Sequence, residues 1–215
     1  MEIVYCDERI VVAVKPSGVL STDNGMPALL RRELGTGCFR TVHRLDAPVS
    51  GLMVLARSSE AASILSRQIR EGSFQKTYLA VVHGAPPQED TWRDLLGRDK
   101  SRRLTYVASS SGKGVQEAIL RYEVLGRCKG TSLVRIELQT GRTHQIRVQF
   151  ASRGYMLSGD RRYGTEESSP FPIALWSHRL SFAHPQTGAP LDFRLTPPPM
   201  GAWADYADIL ARLSL

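Results

Sequence analysis

The residue best placed for chemistry in this sequence is Asp46, which directly precedes a turn-forming segment with Pro48 and Gly51. Proline presets its own φ angle and glycine accepts backbone angles that other residues avoid, so this connection is predicted to be tight. The apolar run 52–56 that follows is typical of a buried strand. Asp46 is therefore expected on a rigid turn at the mouth of a sheet, where a polar side chain is a candidate for function. The residues alone leave a second interpretation open, in which Asp46 only starts the turn and pairs with Arg44.

Two further segments hold side chains that could contact a substrate. Tyr78 lies in the predicted strand 74–83, where alternation leaves both a core position and a site position open. Segment 140–151 starts with a glycine that breaks a strand and continues with apolar residues at helical spacing, so Thr143 is the expected helix cap. The polar residues at this predicted helix start are Arg142, His144, Gln145 and Arg147.

The elements that must position these residues alternate between short strands and helices. A polar turn between apolar runs predicts a β-hairpin over residues 2–15, and a proline starts a predicted helix over 27–34. A serine cap and Gly72 bound a second helix, 58–72. Further strands are predicted at 51–57, 117–125, 132–138, 176–182 and 191–195, and a last helix at 202–213. We expect one α+β domain, residues 1–215, with a mixed, mostly antiparallel central sheet flanked by helices.

The charge balance indicates a polyanionic partner. The net charge is +7 and the isoelectric point is near 9.6, and only five of the 28 basic residues are lysine. Guanidinium groups bind phosphate through two parallel hydrogen bonds and stack on bases, which suits nucleic acid. The polar segment 85–114 has its basic peak at 98–103. Its composition favours a solvated surface loop, and a loop that reaches a phosphate backbone is the alternative.

Several classes of protein are disfavoured by what the sequence lacks. The apolar runs fall far short of the ~20 residues that a membrane helix needs, and the acidic second residue argues against a secretion signal. Three widely spaced cysteines are typical of reduced thiols, so a cytoplasmic location is expected. The five histidines form no zinc signature, so metal catalysis has weak support. Phosphate-binding glycine loops are absent, and a Ser-His-Asp set stays open although no GxSxG elbow is present.

A set of motifs in a fixed order resembles the RluA-type family of pseudouridine synthases. The first comprises His43-Arg44-Leu45-Asp46 with Ser50-Gly51-Leu52. The others are Lys15-Pro16-Ser17-Gly18, Lys76-Thr77-Tyr78-Leu79-Ala80, Thr140-Gly141-Arg142-Thr143-His144-Gln145-Ile146-Arg147, Gly159-Asp160 with Tyr163-Gly164, and His184-Pro185 with Thr187-Gly188. Together they extend over nearly the whole chain, which makes the set far more specific than any one motif.

The resemblance implies isomerisation of uridine to pseudouridine in structured ribosomal or transfer RNA, without cofactor, metal, membrane or required protein partner. Asp46 matches the family's catalytic carboxylate, and Arg147 matches the arginine that pairs with it. Tyr78 matches the tyrosine that packs on the target base and can accept the C5 proton. A uridine in folded RNA must be extruded to react, and Arg44 is expected to fill the gap or hold a flanking phosphate. The remaining candidates for RNA contact are Arg142, His144 and Gln145.

The chain departs from the family pattern at three positions. Val49 replaces a usual threonine, Gln149 replaces a usual histidine, and Trp176 stands in a typical Leu-His-Ala pattern. The absence of an S4-type RNA-binding module leads us to expect a stand-alone catalytic domain. Two other functions stay open: an RNA-binding protein on the same fold that has lost catalysis, and a nucleoside or glycoside hydrolase that uses the same carboxylate.

Overall fold

The computed structural model describes residues 1–22, 24–164 and 171–213. Its strands are β1 Ile3–Cys6, β2 Ile10–Lys15, β3 Arg40–Thr41, β4 Ser50–Ala56, β5 Gln75–His83, β6 Glu89–Asp99, β7 Leu104–Ala108, β8 Gln116–Cys128, β9 Thr131–Leu138, β10 Leu175–Ala183 and β11 Pro190–Arg194. Its α-helices are α1 Met26–Leu34, α2 Ser59–Glu71, α3 Gln145–Ala151 and α4 Ala207–Leu213, the last preceded by a 3₁₀ helix, Gly201–Tyr206. The chain divides into two compact units, Met1–Thr77 with Trp176–Pro197, and Tyr78–Leu175 with Pro198–Leu213.

The first unit is built on a mixed sheet with the strand order β1, β2, β4 and β10. β1 and β2 form the expected antiparallel hairpin, β2 pairs antiparallel with β4, and β4 pairs in parallel with β10. β11 is antiparallel to β10, and the two-residue strand β3 is antiparallel to β4. Asp46 lies in the connection between β3 and β4, so both ends of its loop are anchored in one sheet.

Both faces of this sheet are buried, which explains the uninterrupted apolar runs of β2 and β4. Alternate strand residues pack against α2, through Leu65, on one face and against α1, through Leu30, on the other. α2 begins as predicted at Ser58, whose hydroxyl accepts a hydrogen bond from the Ala61 N–H. It ends at Gly72, which has the left-handed conformation with φ 76°. The strand that follows the Asp46 loop therefore rests on a well-packed core.

The second unit contains the strands β5, β9, β8, β6 and β7 in that order, with antiparallel β9–β8, β8–β6 and β6–β7 pairs. The prediction of a loop over residues 85–114 was wrong, because β6 and β7 form a hairpin there with the basic peak 98–103 at its tip. Trp92 and Leu96 lie on the buried face of this hairpin. Charged residues on its solvent-exposed face conceal the alternation of apolar and polar residues in the sequence.

α3 packs Phe150 against Trp92 and Tyr122, with ring centroids 4.6 and 5.3 Å apart. The helix starts differently from the prediction. Its N-cap is His144, which has the left-handed conformation with φ 55°, and no side chain caps the helix, so the expected Thr143 cap was wrong. The left-handed turn at His144 shifts the start of the helix by one residue, and the side-chain oxygen of Gln145 accepts the Arg142 N–H just before it. The predicted helix 202–213 begins as the 3₁₀ turn and continues as α4.

The α+β class and the mixed sheet are confirmed by this architecture. The hairpin at the N-terminus, α1, α2 and the strands around residues 117–138, 176–182 and 191–195 lie within a few residues of their predicted bounds. The interpretation of residues 1–215 as one catalytic domain stays a prediction.

Candidate active site

Asp46 occupies the first position of a tight turn, because the Val49 N–H donates a hydrogen bond of 3.0 Å to the Asp46 carbonyl oxygen. The Asp46 side chain is half-buried, neither sealed in the core nor fully solvated. We call residues 42–49 the Asp46 loop. Its turn leads directly into β4, so the carboxylate stands where the loop meets the sheet, as the sequence predicted.

A segment that we call the brace, residues 15–21, holds the Asp46 loop from one side. Lys15 is fully buried, and its Nζ donates hydrogen bonds to the carbonyl oxygens of Pro16, Val19 and Ala47 at 2.9, 2.7 and 3.0 Å. The Gly18 N–H also donates to the Ala47 carbonyl, at 2.8 Å. Two donors thus meet on the carbonyl directly after Asp46, which fixes the turn from within the protein.

Serine hydroxyls complete the brace. Ser21 is buried, and its Oγ donates to the Leu45 carbonyl at 2.7 Å and accepts from the Leu45 N–H at 3.0 Å. Ser17 Oγ donates to the Pro48 carbonyl at 2.9 Å. Thr41 Oγ1 in turn donates to the Ser21 carbonyl at 2.8 Å. The backbone on both sides of Asp46 is therefore held by side chains, and the turn has little freedom to move.

Lys15 also brings a positive charge close to Asp46. Burial lowers the pKa of Lys15 to about 8, and the Asp46 carboxylate opposes this shift. The lysine is thus protonated at neutral pH despite its burial, with three carbonyl oxygens and one carboxylate to stabilise the charge. This role was not predicted from the sequence. The available signal was a lysine that ends an otherwise apolar, buried strand, where a charge needs partners.

His43 anchors the other side of the Asp46 loop. Its Nε2 accepts a hydrogen bond of 3.1 Å from the Val54 N–H in β4, next to the residue pair Thr41–Leu55 that ends the β3–β4 ladder. The ring is buried and packs on Phe74 with centroids 5.6 Å apart. Burial first, and Lys76 second, lower the pKa of His43 to about 3. His43 is therefore a neutral hydrogen-bond acceptor with a structural role. Its ring binds the next N–H of β4 beyond the last backbone pair of the β3–β4 ladder.

Gly51 is required at the start of β4. Its φ angle is 114°, and a Cβ atom there would lie 2.5 Å from the Ser177 carbonyl oxygen in β10. The parallel β4–β10 register pairs these same two residues, so the backbones approach at this point. A larger residue would push β4 away from β10 and move the end of the Asp46 loop.

The three departures from the family pattern have structural explanations. Val49 is buried and its backbone N–H closes the turn, while Ser17 and Ser21 supply hydroxyl contacts to the same loop. Gln149 is buried and donates to Asp94 Oδ2 at 2.7 Å. Trp176 is buried, and its indole N–H donates to the Leu195 carbonyl at 2.8 Å.

Arg147, in the second unit, is 5% exposed and forms a two-point ion pair with Asp160. Its Nε donates to Asp160 Oδ2 at 2.8 Å and its Nη2 to Oδ1 at 2.7 Å. Burial alone would raise the pKa of Asp160, but the hydrogen bond and charge of Arg147 lower it below the usual value. This pair fixes the direction of the guanidinium. Asp160 was part of a quoted motif, but its role was missed because nothing in the sequence links it to Arg147.

The other predicted site residues differ in exposure. Tyr78 is 5% exposed in β5, and Arg44 is exposed on the Asp46 loop. Arg142 is half-buried and its Nε donates to the Glu117 carbonyl at 2.8 Å. The Gln145 amide is buried: its oxygen accepts from the Thr140 hydroxyl and its nitrogen donates to the Ile119 carbonyl. Gln145 thus organises the segment before α3, and its predicted contact with RNA stays a prediction, as do the other assigned roles.

His144 is half-buried, and its Nδ1 lies 2.8 Å from the Tyr163 hydroxyl. Its left-handed backbone is uncommon for a residue other than glycine and is a reason to suspect a functional constraint.

Across residues 1–22, 24–164 and 171–213, no group of three or more histidine, cysteine, aspartate or glutamate side chains is placed to hold a metal ion. In the same part of the chain, none of the helices has the length and apolar character to cross a bilayer.

Sequence comparisons assign this arrangement to a known class. The family model for RNA pseudouridylate synthases matches residues 9–152. The chain is 33% identical over 228 residues to the uncharacterized RNA pseudouridine synthase YlyB of Bacillus subtilis, with 99% of this chain and 73% of the relative covered. It is 33% identical over 204 residues to the dual-specificity RNA pseudouridine synthase RluA of Yersinia pestis, with 90% and 98% covered.

Solved structures agree on the fold. Human RNA pseudouridylate synthase domain containing 1 matches with a TM-score of 0.80 at 24% identity, covering 98% of this chain and 94% of that one. Human RNA pseudouridylate synthase domain containing 4 matches with a TM-score of 0.76 at 21% identity, covering 99% and 93%. The protein belongs to the RNA pseudouridylate synthase family. The RluA-type resemblance is thereby confirmed, and with it the enzyme class, an isomerase that forms pseudouridine.

Proposed function

We propose that this protein isomerises specific uridines in structured ribosomal or transfer RNA, with Asp46 as the catalytic carboxylate. The observation that most directly supports Asp46 is the brace, in which the buried ammonium of Lys15 binds the carbonyl of the next residue, Ala47. A half-buried carboxylate on a turn held this way is preorganised for chemistry at one point in space. The positive charge of Lys15 lies close to this carboxylate.

The proposed reaction breaks the bond between C1′ and N1 of uridine and forms a bond between C1′ and C5 of the same base. Asp46 can add covalently to C1′, stabilise an oxocarbenium ion there, or take a proton from the sugar. The freed uracil turns in place and C5 attacks C1′. The C5 proton is then lost to a base, which restores the aromatic ring, and N1 takes up a proton, so the net change is an isomerisation. Water is not a reactant, and it would divert the intermediate to hydrolysis.

Two residues of the second unit have proposed roles in the same reaction. Arg147 supplies positive charge for Asp46, with the Nε–Nη2 edge of its guanidinium oriented by Asp160. Tyr78 packs on the target base and accepts the C5 proton late in the reaction. The burial of both side chains agrees with work in a largely dry site.

RNA binding is proposed to use positive charge on exposed elements. Arg44 is exposed on the Asp46 loop, which suits a residue that replaces an extruded uridine or holds its neighbouring phosphate. The tip of the β6–β7 hairpin, residues 98–103, and the segment with Arg142 and His144 are the further RNA contacts that we propose. We also propose that the chain works in the cytoplasm as one catalytic domain, without cofactor, metal or required protein partner.

The proposal is tested with purified protein and ribosomal and transfer RNA transcribed in vitro. The wild type is expected to form pseudouridine without release of free uracil, and Asp46→Asn is expected to form none while it unfolds at the same denaturant concentration. Release of uracil would support the hydrolase alternative. Tight RNA binding by both proteins without any modification would support the non-catalytic alternative. Full activity of Asp46→Asn would refute the role of Asp46.

A further inference from the structure

Tyr163 connects three parts of the second unit, although no step of the proposed reaction uses it. Its hydroxyl accepts a hydrogen bond of 2.8 Å from the Thr105 N–H in β7 and lies 2.8 Å from His144 Nδ1. Its ring lies under the Arg147 guanidinium, with 5.2 Å from the guanidinium carbon to the ring centroid. Its own N–H donates to Asp160, the carboxylate that pairs with Arg147.

The Tyr163 hydroxyl joins β7 to His144. Its oxygen accepts the Thr105 N–H, and the hydroxyl lies within hydrogen-bond distance of His144 Nδ1, at 2.8 Å. Tyr163 thus fixes the position of a residue that we propose to contact RNA.

The β6–β7 hairpin is joined to the same group of residues near its tip. Thr105 Oγ1 donates to the Thr143 carbonyl at 3.0 Å, just before His144. Arg162, the neighbour of Tyr163, donates from Nη1 to the Arg103 carbonyl at the hairpin tip, at 2.6 Å. The tip is therefore held by side-chain hydrogen bonds to the segments that contain His144 and Asp160.

We propose that Tyr163 is a positioning residue that couples RNA binding by the β6–β7 hairpin to the placement of His144 and Arg147. Its hydroxyl aligns β7 with His144, and its ring face holds Arg147 through a cation–π contact. RNA bound to the hairpin is thereby held at a fixed position relative to His144 and Arg147. This inference rests on the proposed function, because it concerns how that site receives RNA.

The test compares Tyr163→Phe, which removes only the hydroxyl, with Tyr122→Phe as the matched control. Tyr122 is buried in the same unit, and its hydroxyl has no hydrogen-bond partner among the described residues. Tyr163→Phe is expected to raise the KM for RNA about tenfold while kcat changes less than about twofold, because hydrogen bonds are lost but the ring remains under Arg147. Tyr122→Phe is expected to match the wild type in both constants.

A double-mutant cycle with Lys100→Ala at the exposed hairpin tip measures the coupling itself. If Tyr163 transmits hairpin binding, the fold increase in KM of the double variant over the wild type is clearly smaller than the product of the fold increases in the two single variants. Independent effects that multiply would overturn the proposal. It would also be overturned by a Tyr163→Phe variant equal to the wild type, or by one whose kcat and thermal stability fall together. Failure of the wild type to form pseudouridine would instead refute the proposed function, so the two failures are distinguishable.

Discussion

The ammonium group of Lys15 donates a hydrogen bond of 3.0 Å to the carbonyl oxygen of Ala47, the residue that directly follows Asp46. The buried ammonium group therefore stabilises the turn. It also donates hydrogen bonds to two carbonyl oxygens of the brace, those of Pro16 and Val19. Burying an ion without partners is costly, so this lysine is retained only because every proton has an acceptor. The arrangement links the Lys15-Pro16-Ser17-Gly18 motif to the motif that contains Asp46 through a direct hydrogen bond.

Replacing Lys15 with methionine should loosen the hold of the brace on the Asp46 loop. The carbonyl oxygens of Pro16, Val19 and Ala47 would lose the ammonium donor, and Ala47 would keep only the Gly18 N–H, so we expect the free energy of unfolding to fall by ~1–3 kcal/mol. Activity should fall more steeply, ~100-fold, because the carboxylate loses both its fixed position and its nearby charge. Lys113→Met, at an exposed lysine, is the matched control and should change neither quantity. Urea unfolding and a pseudouridine assay give the two readings, and wild-type activity in Lys15→Met would contradict the role of the brace.

The same lysine predicts a particular dependence of stability on pH. The pKa of Lys15 is about 8 in the folded protein, below the 10.5 of an ordinary lysine. Between these values the unfolded chain holds more protons than the folded one, so this group makes folding more favourable as pH rises through the window. Compared with Lys15→Met, the wild type should gain stability between pH 8 and 10.5, measured as the difference in unfolding free energy. A difference that stays flat or falls would contradict the lowered pKa of Lys15 in the folded protein.

His43 predicts a trend of the same sign at acidic pH, where the free energy of unfolding falls as pH falls. Its folded pKa of about 3 lies below the ordinary 6.5, so the unfolded chain takes up the proton first as pH falls. Stability is then lost progressively from pH 6.5 towards 3. His43→Gln keeps a side-chain acceptor for the Val54 N–H but has no imidazole to bind a proton. Its unfolding free energy should therefore fall less steeply with pH, by at most the contribution of one bound proton. Carboxylates contribute equally to both proteins, so equal acid slopes in the two would contradict a buried, neutral His43.

The Arg147–Asp160 pair should be far more sensitive to substitution than an exposed pair of the same type. Asp160→Asn removes the negative charge from a buried ion pair, and we expect a loss of ~3–5 kcal/mol in unfolding free energy. Asp192→Asn, which breaks a two-point surface pair with Arg179 and a second pair with Arg194, should cost less than about 1 kcal/mol. Denaturant unfolding of both variants makes the comparison. Equal losses would mean that burial does not distinguish the two pairs.

Local signals in the sequence predicted much of the fold. The polar turn between two apolar runs predicted the hairpin of β1 and β2. A serine cap and Gly72 predicted the two ends of α2, and an apolar run predicted β4. The β6–β7 hairpin was missed because charged residues on its solvent face made the composition look like a loop. The start of α3 was misjudged because His144 adopts a left-handed conformation that threonine capping rules do not anticipate.

The candidate site was predictable in part. Asp46 could be found from its turn and its motif, since both are continuous in sequence. Lys15, Asp160 and Tyr163 escaped because their roles depend on hydrogen bonds to residues far along the chain, such as Ala47 from Lys15 and Thr105 from Tyr163. Sequence periodicity describes which face a residue occupies, but not which distant carbonyl or hydroxyl it meets there.

The most direct measurement of the central claim is base-resolution mapping of pseudouridine in total RNA. Cells that lack the gene would carry either the wild-type gene or the Asp46→Asn gene, at matched protein levels. We expect one or a few uridines of ribosomal or transfer RNA to be modified with the wild type, and the same positions to remain uridine with Asp46→Asn. Modification of those positions by Asp46→Asn at the wild-type level would contradict the assignment of Asp46 as the catalytic carboxylate.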